Sequence, residues 1–173
     1  MSNELNDALS ELEQVYQALD DALREMNPKC EASGVCCNFR NGGYILYASE
    51  LETERVRQAV GKPGPWPLTD EGECPFLSAD RKCSIHADRP LGCRTYFCDP
   101  AYRSHEGEVY QKFITRIGEI SARHDVSWKY APFHGESGHE AVKVQRHGTD
   151  RAPAFPILGQ DSRIRELLDF HKS

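Results

Sequence analysis

Seven cysteines are the residues of this 173-residue chain best suited to chemistry, and they fall into two segments of the sequence. The predicted metal ligands are Cys30, Cys36, Cys37, Cys74, Cys83, Cys93 and Cys98. Thiolates are soft, anionic donors that bind zinc and iron strongly, and ligands from separate loops let one metal tie those loops together. We therefore predict a cysteine metal centre that holds zinc or iron, the latter as an ion or an iron–sulfur cluster. The sequence identifies no catalytic residue.

The spacing of the cysteines excludes several familiar sites. No Cys-x2-Cys pair occurs, whereas zinc ribbons, zinc fingers and thioredoxin-type redox sites are built on one. The chain also lacks a phosphate-binding loop, a Gly-x-Gly-x-x-Gly motif and a His-Glu-x-x-His motif. Its N-terminus is acidic where a secretory signal needs basic and then apolar residues, and its cysteine count is odd. We therefore expect a cytoplasmic protein whose cysteines bind metal rather than form disulfides.

Three cysteine motifs follow one another between residues 30 and 98. They are Cys30-x5-Cys36-Cys37, Cys74-Pro-Phe-Leu and Cys83-x5-Arg89-Pro90-x2-Cys93-Arg94. In this order they make the chain resemble the YkgJ-type cysteine-cluster family, whose pattern is Cys-x2-Cys-x2-Cys-Cys and which is described as zinc- or iron-chelating. The resemblance implies metal chelation. A related cysteine-cluster segment appears in flagellin lysine methylases, which keeps an enzymatic role open.

The chain departs from the family pattern at two positions. Ser33 stands where the second cysteine of the pattern would be, and His86 stands where the family commonly has tyrosine. Cys98 is an addition to the pattern. The missing ligand is either dispensable or replaced by Cys98 or His86, and the sequence leaves these alternatives open.

The adjacent pair Cys36 and Cys37 bears on the kind of centre. Neighbouring side chains usually project in different directions, so both can bind only in a multinuclear centre, at two different ions, or in a distorted loop. A single zinc site with four thiolates would leave three cysteines over, whereas an iron–sulfur cluster or a two-metal centre could use more of them. The alternative is that two or three of the seven are buried structural thiols.

Arg89 and Arg94 flank Cys93 in the sequence. A thiolate centre is anionic, and nearby cations and hydrogen-bond donors are needed to hold it away from water. We predict that both arginines support the centre in this way. The alternative is a turn at Arg89-Pro90 with an exposed guanidinium.

Four helices are predicted from local patterns. The first covers residues 1–27, where one apolar seam recurs at steps of three and four and Asn27-Pro28 ends it. A capping box at Ser49 and Glu52 opens a second helix, which runs to residue 60. A third covers residues 102–123 and a short fourth covers 162–170, with a strand at 44–47. The segment between His124 and His134 is interpreted as a surface loop in preference to a cover over the cysteine loops.

These elements predict a mainly α, small, loop-rich domain organised around the cysteine metal centre, with at most a minor β-strand pair. Residues 1–27 form an amphipathic helix packed on the body, 28–100 form the cysteine-cluster segment, and 101–173 form the helical C-terminal part of the same domain. The seam of the first helix contains Leu5, Ala8, Leu12, Val15, Leu19, Ala22 and Met26. Packing on the body is favoured over a homodimer seam because three heptads are short for an autonomous coiled coil.

Charge and hydropathy limit the partners. The net charge of −6 comes from residues 1–27, with seven acidic groups and one arginine, while the rest of the chain holds twenty charges of each sign. No basic stripe or long apolar stretch occurs, so we expect neither nucleic-acid nor membrane binding. The leading interpretation is a metal-binding protein with a structural, storage or delivery role. The alternatives are a redox or group-transfer enzyme that uses the same centre, and a protein-interaction module acting through the acidic helix.

Overall fold

The computed structural model describes residues 3–135 of the chain. Its elements are the helices α1 (Asn3–Met26), α2 (Phe39–Gly42), α3 (Glu50–Val60), α4 (Leu91–Thr95) and α5 (Arg103–Arg123), a 3-10 turn (Val35–Cys37), and the strands β1 (Tyr47–Ser49) and β2 (Tyr130–Pro132). Helices and long loops dominate, and the two strands form one small antiparallel sheet. This confirms the predicted fold class, mainly α and loop-rich with a minor strand pair. Among residues 3–135, no helix combines the length and apolar character that a bilayer crossing requires.

Helix α1 lies where the sequence pattern predicts it, but its buried face differs in part from the predicted seam. The buried side chains are Ala8, Leu12, Val15, Tyr16, Leu19 and Leu23. Met26, a member of the seam, is 48% exposed. A straight helix has 3.6 residues per turn, so a pattern of steps of three and four drifts around it by about 20° per heptad. By the third heptad, Leu23 has therefore taken the place of Met26 on the buried face.

Helices α1 and α5 form most of a first core cluster. The buried residues that α5 supplies include Tyr110, Phe113, Ile114, Ile117 and Ile120. At one edge of the interface, His124 Nε2 hydrogen-bonds with Glu11 of α1 (2.8 Å), and Arg123 forms an ion pair with the same carboxylate. The apolar face of α1 is thus covered by other parts of its own chain.

Helix α3 begins and ends as its sequence signals predict. Ser49 Oγ accepts a hydrogen bond from the N–H of Glu52, and the Glu52 carboxylate accepts one from the N–H of Ser49 (2.8 Å). At the other end, Gly61 adopts a left-handed backbone (φ 66°) and its N–H donates to the Arg57 carbonyl (2.9 Å). These two caps fix the limits of α3 next to strand β1.

A second core cluster lies beneath the cysteine loops. It contains Phe39, Leu46, Ala48, Val56, Trp66, Cys74, Ile85 and Phe133. Cys37, Cys83 and Cys93 pack against it. Leu91 belongs to the first cluster, whereas Cys93 on the same helix contacts the second. Helix α4 therefore connects the two clusters.

The sheet corrects two expectations. Strand β1 begins at Tyr47 rather than covering residues 44–47, and it pairs with β2 through Ala48 opposite Ala131. The interpretation of the segment before His134 as a surface loop is wrong for its C-terminal part, because β2 lies there and Phe133 and His134 are 4% and 2% exposed. His134 Nδ1 hydrogen-bonds with the Trp66 carbonyl (2.7 Å). Three-residue strands carry too little periodicity to be recognised locally.

The division of the chain at residues 27 and 100 stays a prediction. The predicted short helix at 162–170 lies outside the described residues, as does everything after residue 135.

Candidate metal centre

The 3-10 turn positions the adjacent cysteines Cys36 and Cys37. Gly34 precedes this 3-10 turn and has a left-handed backbone (φ 69°). Its Cα also lies close to the loop of residues 78–82, so that an added Cβ would stand 2.9 Å from the Arg81 carbonyl oxygen. The hydroxyl of Tyr44 donates to the Cys36 carbonyl. A glycine and a tyrosine thus hold the backbone that carries the pair.

Two loops between α3 and α4 bring Cys74 and Cys83 to the same region. The N–H of Cys74 donates to the Cys37 carbonyl (2.8 Å), and the neighbouring residues Asn38 and Glu73 form an isolated antiparallel bridge. Leu77 and Cys83 form a second isolated bridge, which closes the turn between them. These backbone contacts bring the segment of Cys74 and Cys83 next to the turn of Cys36 and Cys37, although the two lie far apart in the sequence.

Helix α4 supplies Cys93. Its N–H donates to the Pro90 carbonyl (2.9 Å), and the first N–H of the helix, at Leu91, donates to Glu52 Oε1 (2.8 Å). Pro90 precedes the helix and has no side chain that could accept a hydrogen bond from the first N–H groups, and the Glu52 carboxylate supplies the acceptor that a capping side chain usually provides. The position of Cys93 therefore depends on α3.

The thiols of Cys36 and Cys37 act on one another directly. A hydrogen bond from Cys37, aided by the charges of Arg89 and Arg81, lowers the pKa of Cys36 to about 6, well below the ordinary value near 9. The same hydrogen bond, together with burial and the neighbouring thiols, raises the pKa of Cys37. Cys36 is thus the thiolate of the pair at neutral pH, and Cys37 is its proton donor.

Three further thiols, those of Cys74, Cys83 and Cys93, are held in their neutral form. Burial, and secondarily the charges of Cys83 and Cys36, raise the pKa of Cys74 to about 12. Burial also raises the pKa of Cys83 and Cys93, and the charge of Cys36 raises both further. The five thiols from residue 36 to residue 93 therefore lie within electrostatic reach of one another.

Arg89 is the cation that these thiols share. Its charge lowers the pKa of Cys36, Cys83 and Cys93, opposing the effect of burial on the last two. Its Nε atom is buried and has no hydrogen-bond partner. Arg89 thus supplies a positive charge near the thiols, and its Nε is a hydrogen-bond donor available to an anionic centre.

Arg94 makes its contacts elsewhere. Its Nε donates to the Arg89 carbonyl (2.9 Å), and its guanidinium lies over the ring of Tyr16, with Cζ 4.0 Å from the ring centroid. Nη1 forms an ion pair with Asp20 at 3.4 Å. The prediction placed this arginine beside the thiols, whereas its charged group is bound to α1.

The other predicted residues lie at the edge of this group. Cys30 and Ser33 are exposed, and His86 is exposed with a pKa lowered mainly by the charge of Arg89. The N–H of Lys29 donates to Asp99 Oδ2 (3.0 Å), which brings the segments of Cys30 and Cys98 together. Cys98 is partly buried, and its charge adds to the effect of burial in raising the pKa of Tyr96. All seven cysteines lie among the described residues, and none of them forms a disulfide.

The five thiols influence one another but do not form a ready-made metal site. Within residues 3–135, no three Cys, His, Asp or Glu side chains are arranged to hold a metal ion as they stand. The donor set nevertheless fits zinc or iron, because it offers several soft thiols from separate chain segments, one of them a thiolate at neutral pH, next to an arginine whose buried Nε lacks a partner.

Sequence reasoning missed two residues that shape this site. Arg81 binds Glu73 (2.7 Å) and the Gly34 carbonyl (3.3 Å), and its charge acts on Cys36. Tyr44 holds the Cys36 carbonyl and stacks on Tyr96, with ring centroids 5.9 Å apart. No spacing rule could have found them, because their partners are brought to them by loops of irregular conformation.

The fold and the site together define a class of protein: a small, mainly helical domain whose loops gather free thiols around an arginine. Residues 29–114 match the CxxCxxCC family model, described as "Putative zinc- or iron-chelating domain". Through these residues the chain belongs to that family of metal-binding domains. Neither the curated proteins nor the solved structures contain a significant match to the chain.

Proposed function

We propose that this protein chelates zinc or iron through the thiols of Cys36, Cys37, Cys74, Cys83 and Cys93. The observation that carries the proposal is the mutual electrostatic influence of these five thiols, which come from segments far apart in the sequence. Membership of a zinc- or iron-chelating family supports the same conclusion. Cys30 and Cys98 lie at the edge of the group and are proposed as weaker contributors.

Binding requires changes in the arrangement and the protonation of the thiols. Their side chains must turn toward one point, and those of Cys74 and Cys93 must lose protons that their buried surroundings retain. Cys36 is the donor that needs no such loss at neutral pH. Arg89 offsets the negative charge that accumulates as further thiols ionise.

The number of thiols bears on the kind of centre. Four thiolates complete a tetrahedral zinc or iron site, and five close thiols exceed that number by one. An iron–sulfur cluster is likewise bound by four thiolates of the protein. The bound metal gives the loop-rich half of the molecule a crosslink and makes the ion available for storage or delivery.

Elemental analysis with a visible absorption spectrum, on protein purified without oxygen, tests the proposal first. Stoichiometric zinc without colour would support a structural or metal-handling role. Stoichiometric iron with acid-labile sulfide would support a cluster and make redox or enzymatic function the next hypothesis. Protein purified with neither metal, and unable to take up either on addition, would contradict the proposal.

Single replacements then define the ligands. Cys74→Ser, Cys83→Ser and Cys93→Ser should each reduce bound metal by at least about half, because a centre of four thiolates loses most of its affinity with one donor. Cys30→Ser is the comparison variant, since Cys30 is exposed at the edge of the group and its loss should reduce the bound metal far less. Full metal content in any of the first three variants would remove that residue from the ligand set.

We propose that the protein works in a reducing compartment such as the cytoplasm, which would keep the thiols available for metal.

A further inference from the structure

A buried carboxylate joins three helices near the thiol group. Glu52 of α3 is 1% exposed. Its Oε1 accepts hydrogen bonds from the hydroxyl of Tyr16 in α1 (3.1 Å) and from the N–H of Leu91 in α4 (2.8 Å). Its Oε2 accepts from the N–H and the hydroxyl of Ser49, each at 2.8 Å. The start of the helix that carries Cys93 is therefore tied to α1 through one carboxylate.

A second connection runs from the residue next to Cys93. Arg94 is 6% exposed, and its guanidinium lies against Tyr16 and pairs with Asp20, both on α1. The same guanidinium donates to the carbonyls of Ala87 and Arg89 in the loop that precedes α4. The loop, the cysteine helix and α1 thus share one buried cation.

Helix α4 needs these contacts to hold its orientation. It has five residues, and a helix of that length is unstable without tertiary partners. Leu91 is buried in the first core cluster, while Cys93 packs on the second, so a shift of α1 against α5 reaches Cys93 through a rigid helical turn.

We infer that Tyr16 and Asp20 of α1 are positioning residues for the Cys93 thiol, so that docking of α1 and retention of the metal are coupled. The inference rests on the proposed function. By reciprocity, metal at the thiols strengthens the docking of α1 to the same degree that docked α1 strengthens metal binding. The N-terminal helix then controls how readily the metal is released, although it contains no cysteine.

The test compares three variants of the full-length protein loaded with zinc. Tyr16→Phe keeps the ring and removes only the hydrogen bond to Glu52, and Asp20→Asn removes the charge that faces Arg94. Ile120→Val is the matched control, because it removes one methylene from the same core cluster and leaves the hydrogen bond of Tyr16 to Glu52 and the ion pair of Asp20 with Arg94 in place. Zinc release into a coloured chelator is timed for each, and urea unfolding gives its stability.

Tyr16→Phe should speed zinc release on the order of tenfold, the loss expected for one hydrogen bond to a buried charge. Asp20→Asn should speed it roughly two- to threefold, since Asp20 is half exposed. Ile120→Val should leave release nearly unchanged at a similar loss of stability. Equal release rates for Tyr16→Phe and Ile120→Val would overturn the inference.

Hydrogen exchange supplies a readout that a purely structural role would not change. Zinc should slow exchange of the α1 amides in the wild-type protein and have much less effect on them in Tyr16→Phe. Exchange in α1 that is indifferent to zinc in the wild type would overturn the coupling while leaving the proposed function intact. A wild-type protein that binds no metal would overturn both.

Discussion

At the scale of single residues, the thiols of this site differ in chemistry because their neighbours differ. Cys36 accepts a hydrogen bond from Cys37 and lies near two arginines, which lowers its pKa to about 6. Cys74, which lies in the second core cluster, has its pKa raised to about 12, mainly by burial. Two cysteines of the same group thus have opposite protonation states at neutral pH.

In metal-free protein at pH 7, Cys36 should react with iodoacetamide much faster than Cys74 or Cys93. The thiolate is the reactive form, and its fraction at Cys36 is already large at this pH. Mass spectrometry of the modified peptides gives the order, and the rate at Cys36 should fall as the pH drops below 6. Cys37→Ala should move that midpoint upward by removing the donor; an unchanged midpoint would show that the hydrogen bond does not set the pKa.

Glu106 is a buried carboxyl outside the thiol group. It is 7% exposed, its Oε1 has no hydrogen-bond partner, and burial raises its pKa to about 7. The folded state therefore holds this proton more tightly than the unfolded state, whose pKa is near 4.5. The stabilisation is complete below pH 4.5 and is lost as the pH rises through 7.

Glu106→Gln should therefore make the protein more stable at pH 8 by about 1–2 kcal/mol, and should change stability little at pH 4. Urea unfolding at the two pH values measures the difference. Glu108→Gln, on an exposed position of the same helix, is the control and should show no such dependence on pH. A gain of stability that is equal at both pH values would rule out titration of Glu106 as its cause.

At the scale of elements, the turn that carries Cys36 and Cys37 depends on one glycine. Gly34 has φ 69°, and a Cβ there would lie 2.9 Å from the Arg81 carbonyl oxygen and 3.0 Å from Leu77. The carbonyl belongs to the backbone and has little freedom to withdraw. The turn and the 78–82 loop can approach this closely only with glycine at that position.

Gly34→Ala should lower the free energy of unfolding by about 2 kcal/mol and reduce metal content, because backbone strain and the contact with Arg81 add together. Gly61→Ala is a closely matched control, with φ 66° but nothing within 4 Å of the added Cβ. It should cost about 1 kcal/mol from backbone strain alone and leave the metal content unchanged. Equal effects of the two variants on stability and metal would show that the close approach at Gly34 is unimportant.

At the scale of the whole molecule, two core clusters stabilise different parts of the fold. The first is formed mainly by α1 and α5, and the second lies under the cysteine loops and contains Cys74. Each has one tryptophan: Trp128 packs against the first and Trp66 is buried in the second. The long helices pack by themselves, whereas the loop-rich half has a smaller apolar core and more need of a crosslink.

Removal of the metal with a chelator should change the fluorescence of Trp66 far more than that of Trp128. Trp128→Phe leaves Trp66 as the reporter, and Trp66→Phe leaves Trp128. The far-ultraviolet circular dichroism should change little, because α1 and α5 hold most of the helical residues and belong to the first cluster. Equal changes at both tryptophans, with loss of helix, would show that the whole fold depends on the metal.

The sequence alone determined those features whose causes lie within a few residues of one another. The limits of α3 follow from a capping box and a glycine, and the extent of α1 follows from its apolar pattern and from Asn27 before Pro28. The family follows from motifs of adjacent residues, and so does the prediction that the chain chelates metal. Each of these signals is local and survives without knowledge of the fold.

Only the tertiary structure decided which of these residues meet. Arg89 and Arg94 look equivalent on either side of Cys93, yet one acts on the thiols and the other binds α1. The segment between His124 and His134 is predicted to be a surface loop, but β2 pairs with β1 there and the buried His134 that follows lies against Trp66. The pKa of Cys36 is lowered mainly by the hydrogen bond from its neighbour Cys37, and further by the charges of Arg89 and Arg81, which other loops bring close. Such neighbours depend on long-range packing and on the path of irregular loops, which no local pattern of the chain encodes.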